Sequence, residues 1–114
     1  MKFSAIAAAS LVALTSFAGT ASAAASCSLY TKWVTRFYEI EIEGVDNIPG
    51  LCGGLWDNLK GFPGCTVSRP NGCEARGASD KLFMYFSTSL ACNKGAVQAA
   101  FWEATKNKWG SISC

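Results

Sequence analysis

Residues 52–65 read CGGLWDNLKGFPGC. Two cysteines and a Gly-Gly pair suggest a redox or phosphate loop; the alternative is a short helix pinned at both ends. Twelve residues separate Cys52 from Cys65, too many for a thioredoxin-like pair or a zinc knuckle. Cys-Gly-Gly-Leu lacks the lysine of a phosphate loop and the spacing of a dinucleotide loop. Leu51, Cys52, Leu55, Trp56 and Leu59 instead fall on one helical stripe. Upstream, Asp46 or Asn47 suits an N-cap, Pro49 fits the first turn, and Gly61 stops the helix. The stretch is therefore an amphipathic helix with Cys52 in its first turn. GFPG then delivers Cys65 to the next element.

On the N-terminal side lies Leu29 to Glu43, LYTKWVTRFYEIEIE. Tyr38, Ile40 and Ile42 alternate with Glu39, Glu41 and Glu43, the period of a strand with one wet face. Trp33 and Phe37 run out of phase with Val34, so a bulge or bend is expected near Arg36. Downstream, Cys65 to Arg69 reads as a short strand and Pro70-Asn71-Gly72 as a turn. Lys81 to Ser89 is an apolar strand with Leu82, Met84 and Phe86 on one face and Phe83 and Tyr85 on the other. Asn93 caps a second helix whose buried stripe is Val97, Ala100, Phe101 and Ala104. Lys106 and Lys108 fall in its last turn, Gly110 ends it, and Ser111 to Cys114 supply a final short strand. The expected fold is α+β, a small disulfide-stapled βαββαβ sandwich of the ferredoxin-like, split βαβ kind. Two helices cover one face of an antiparallel sheet.

The first 23 residues have the form of a secretory signal peptide. Lys2 makes the n-region, an Ala-rich apolar run extends from Phe3 to Phe17, and Ala21-Ser22-Ala23 is a small-x-small cleavage site. The apolar run is shorter than the roughly 20 residues of a membrane span. Residues 24–114 then form a single domain with all six cysteines. Such a domain buries only about two-thirds of its unfolded surface and needs staples. An even cysteine count behind an export signal implies disulfides and an oxidising destination. Of ten basic residues the leader holds one and of eight acidic residues none, so residues 24–114 net +1. That excess is too small to argue for nucleic acid or an anionic membrane. No Asn-x-Ser/Thr acceptor and no dibasic pair occur.

The expected sheet order, final strand–first–third–second, fixes which end of the sheet each cysteine occupies. Cys52 and Cys73 share one end and should pair. At the other end neighbouring strands favour Cys65–Cys92 and Cys27–Cys114. A bridge needs Cα atoms about 4.4–6.8 Å apart, and the alternative, Cys27–Cys92 with Cys65–Cys114, crosses more of the sheet.

Catalytic candidates are few. The chain contains no histidine, which removes Ser-His-Asp and Cys-His catalysis and the usual zinc sites. Glu39, Glu41 and Glu43 form an acidic comb, but residues on one strand face point in parallel and do not converge as a glycosidase pair must. No cofactor or metal is implied, and the expected class is non-enzymatic. Of four tryptophans, two or three are expected in the core. Trp33 and Trp109 are the candidates for an exposed platform that binds a protein or a glycan.

An export signal, about ninety further residues, six cysteines and a βαββαβ order together resemble fungal small secreted cysteine-rich effectors. The quoted helix segment, with the later CNKGAVQAAFWEATKNKWGSISC, is similar to secreted proteins of filamentous, often plant-pathogenic, fungi. The layout resembles the killer-toxin-like αβ effectors, and no family motif is matched residue by residue. The resemblance implies a secreted, monomeric effector or elicitor that binds a host protein or a cell-wall glycan and modulates plant immunity. It fits action outside host cells or after entry into them. The alternatives are a secreted antimicrobial or killer-type toxin and a cell-wall glycan-binding protein.

Overall fold

A computed structural model describes residues 24–114; the signal peptide expected over 1–23 lies outside them. The element order is β1 (Ala25–Lys32), β2 (Thr35–Ile42), α1 (Ile48–Lys60), β3 (Ser68–Ala75), β4 (Leu82–Ser89) and α2 (Lys94–Thr105). All strand pairs are antiparallel, in the order β1-β2-β4-β3. The fold is thus α+β, with a four-stranded antiparallel sheet, two helices on one of its faces, and three disulfides.

The connectivity differs from the expected βαββαβ in one respect. The segment expected as one long strand folds back at Trp33-Val34 into the β1–β2 hairpin, with Lys32 paired to Thr35. β1 therefore takes the sheet edge beside β2 that was assigned to Ser111–Cys114. The last four residues run as irregular chain instead of joining the sheet. Ile112 is buried there, and the Cys114 amide donates to Gln98 Oε1 at 3.0 Å. The result is the split βαβ arrangement with its edge strand moved from the end of the chain to its start.

The core lies between the sheet and the helices. Tyr38, Ile40 and Ile42 of β2 and Leu82, Met84 and Phe86 of β4 face Leu55 and Leu59 of α1 and Val97, Ala100 and Phe101 of α2. α1 begins where expected: Asn47 Oδ1 accepts from the Gly50 amide at 3.1 Å, and Pro49 sits in the first turn. α2 is capped by Asn93, whose Oδ1 accepts from the Ala96 amide at 2.9 Å. It ends at Thr105 and closes at Lys106, a left-handed C-cap, so neither Lys106 nor Lys108 lies in its last turn and Gly110 falls beyond its end. Pro70-Asn71-Gly72 is not a turn. It sits inside β3, where the register shifts between Ser68 and Gly72. β3 is an edge strand, and the missing amide of a proline costs no ladder hydrogen bond on an open edge. Gly72 leaves room at that bulge for the Tyr85 ring: a Cβ there would lie 2.7 Å from the Tyr85 hydroxyl and would push that side chain aside.

The disulfides join Cys27 to Cys114, Cys52 to Cys73 and Cys65 to Cys92, with Cα separations of 4.8, 5.8 and 4.6 Å. These pairs depend on strand direction rather than element count. α1 starts and β3 ends at one end of the sheet, which brings Cys52 to Cys73. The turns after α1 and after β4 meet at the opposite end, which brings Cys65 to Cys92. Cys114 reaches Cys27 without being part of a strand.

Candidate functional site

The structure separates the two tryptophans expected to share a platform. Trp33 occupies the two-residue loop of the β1–β2 hairpin, with φ +60° and 90 % of its surface exposed. Trp109 is half-buried against the core. Its indole Nε1 donates to the Glu43 carbonyl at 2.8 Å, and the Lys108 ammonium lies 5.1 Å from its ring centre. Glu43 follows the far end of β2. The eight residues of β2 therefore separate the two indoles, roughly 25 Å at about 3.3 Å per residue. Trp33 is a free side chain at one end of the sheet, and Trp109 is a clasp at the other.

Two surfaces take the place of that platform. The first is the hairpin tip. Val34 (70 % exposed) adjoins Trp33, and Leu90 (44 %) sits one step beyond the Thr35–Ser89 pair, at the same end. Tyr30 lies two residues back along β1 and stacks on Phe37, ring centres 4.8 Å apart. No turn residue marks this hairpin, so its exposure becomes visible only once the reversal is located.

The second is the open sheet face. There Phe83 and Tyr85 continue the aromatic row, 5.6 Å apart, with the Arg76 guanidinium 4.0 Å over the Phe83 ring. The acidic comb lies on the same face. Glu41 pairs with Lys81 at 3.5 Å, Arg76 pairs with Glu74 at 2.9 Å, and Glu39 is exposed. Glu39 and Glu41 belong to β2, and Glu43 follows its end, so the comb expected from one strand is two strand residues and a neighbour. No group of three metal-ligating side chains gathers among the described residues.

A third feature is internal. The buried Cys92 carbonyl accepts from the Tyr38 hydroxyl at 2.6 Å and from Arg36 Nη1 at 3.1 Å. Burial raises the Tyr38 phenol above its ordinary value, with Arg36 partly opposing the shift. Both donors lie on β2 and lock it to the β4–α2 corner beside the Cys65–Cys92 bridge.

A cavity of about 360 Å³ lies between α1 and the turn that follows it. Trp56, Leu59, Phe62 and Val67 line it, with Lys60 as its one charged residue. Trp56 meets Phe86 edge-on across 5.9 Å, so this indole belongs to the core. Trp102 is 43 % exposed on α2.

Comparison with known protein families, with curated proteins and with solved structures found no match. No helix among the described residues is long and apolar enough to cross a membrane. Three disulfides in so small a domain are compatible with an extracellular setting.

Proposed function

We propose that the protein is a secreted effector or elicitor that acts without catalysis, by binding a host component, in a plant host, and modulating its immunity. The supporting observation is the Trp33-Val34 tip, a bulky apolar loop held out from a frame stapled by three disulfides. Tryptophan is the side chain most enriched among binding hot spots, and a rigid scaffold lowers the ordering cost of presenting one. A stapled chain opens rarely, which suits a protein that works among extracellular proteases.

The test is infiltration of leaves with the oxidised protein spanning residues 24–114, beside a reduced and alkylated sample. Cell death, a defence burst or suppressed immunity with the oxidised sample alone is the expected result. No response from the oxidised protein, together with killing of competing microbes, would overturn it in favour of a toxin. Cell-wall glycan binding is a second reading, favoured by the Tyr30–Phe37 and Phe83–Tyr85 rows beside exposed Glu39. Retention on chitin or glucan that a Tyr85→Ala change removes would establish it.

A further inference from the structure

The net charge of residues 24–114 is nearly zero, but the fold sorts it by end. β2 starts, β4 ends and α1 ends at the hairpin-tip end of the sheet. Lys32, Arg36, Lys60, Arg69 and Lys94 are gathered there, and Asp57 is the one carboxylate among the described residues at that end. Asp57 lies 3.9 Å from Lys60. Lys32, Arg69 and Lys94 have no carboxylate partner among the described residues. Six of the eight carboxylates lie toward the opposite end, with Glu39 between.

Two residues of the cationic end sit where folding alone would not put them. Trp33 has a left-handed backbone in a loop position that glycine normally fills, and its side chain gains almost no burial in return. Lys94 opens α2, where the helix dipole repels a cation and no acidic residue compensates. Both costs bring charge or apolar surface to one face of the molecule.

The geometry points to this end as a docking site for an anionic phospholipid bilayer. Trp33, Val34 and Leu90 enter the interface, Tyr30 lies at headgroup level, and the exposed, unpaired Lys32, Arg69 and Lys94 meet lipid phosphates. An apolar tip with unpaired Lys and Arg at the same end is the arrangement that binds such a surface, because apolar burial and attraction to anionic lipid act together. A glycan would use the indole but gives the cations no counter-charge. The inference stands apart from the immunity reading, and an effector or a toxin could equally carry it.

The experiment is cosedimentation of the oxidised protein with vesicles of phosphatidylcholine alone and of phosphatidylcholine mixed with phosphatidylserine. The expected result is binding to the mixed vesicles only, abolished by high salt. Trp33→Gly should weaken it by about tenfold or more, and Lys32→Gln or Lys94→Gln by about fivefold each. Trp102→Phe, on a distant exposed indole, should leave it unchanged. Thermal melts establish that each variant is folded. Absence of binding to mixed vesicles, equal binding by folded Trp33→Gly, or equal binding to neutral vesicles would overturn the inference. So would Trp33-dependent retention on a glycan without vesicle binding. Failure here leaves the leaf assay to be decided on its own result, and the reverse also holds.

Discussion

Replacing Trp33 by glycine should stabilise the protein or leave it unchanged, although it deletes the largest side chain in the molecule's vocabulary. The left-handed backbone at Trp33, φ +60°, costs an L-residue about 1–2 kcal/mol, and glycine removes that cost. Glycine adds back about 0.5–1 kcal/mol through the freedom it gains in the unfolded chain. Little burial is lost, since 90 % of the side chain already faces water. The balance is a gain of between zero and about 1.5 kcal/mol. For a domain of this size 1 kcal/mol moves the melting temperature by about 4–8 °C. By contrast, Phe86→Ala, at a residue 2 % exposed, should cost about 3–5 kcal/mol. Urea and thermal unfolding with the disulfides intact reads both. If Trp33→Gly lost more than about 1 kcal/mol while keeping its three bridges, Trp33 would be structural. Display of Trp33 for a partner would then be refuted.

Removing the Cys27–Cys114 link by a double serine change should cost about 4 kcal/mol, because it spans 87 residues of sequence. The Cys52–Cys73 link, spanning 21, should cost about 3 kcal/mol by the same urea measurement. Gly64→Ala should destabilise by about 1–3 kcal/mol in thermal melts, since its Cβ would fall 2.6 Å from the Ala91 carbonyl oxygen, a backbone atom beside the Cys65–Cys92 bridge. Tyr38 binds its proton more tightly folded than unfolded, so its contribution is complete below the ordinary tyrosine value and is lost as pH rises through its raised folded value. Tyr38→Phe should lose about 1 kcal/mol of hydrogen bonding at neutral pH and show a shallower alkaline loss of stability in a pH series of melts.

The sheet's central strands were legible because Tyr38, Ile40 and Ile42, and Leu82, Met84 and Phe86, keep a strict two-residue period, which only a half-covered strand requires. α1 was legible because its stripe, cap and stop agree. The β1–β2 hairpin was not, since Trp33-Val34 carries none of the Gly, Asn or Asp that such a loop normally uses. That single omission lengthened the first strand and left an edge for Ser111–Cys114 to fill. Pro70-Asn71-Gly72 carries turn chemistry in full, but pairing of Gly72 and Cys73 with β4 holds it in a bulged strand. The candidate site suffered from the same omission. Composition marks Trp33 and Trp109 alike, and only the position of the reversal shows that one is exposed and the other clasped to Glu43. The sorting of charge was equally hidden, because Lys32, Lys60 and Lys94 come together through chain direction and not through sequence.

The most direct measurement compares leaf responses to oxidised wild-type protein and to oxidised Trp33→Gly, matched for fold by melting. The wild type should change host defence and the variant should do so far less, at equal or higher stability. An undiminished response from folded Trp33→Gly, or a response that survives reduction and alkylation, would contradict that expectation.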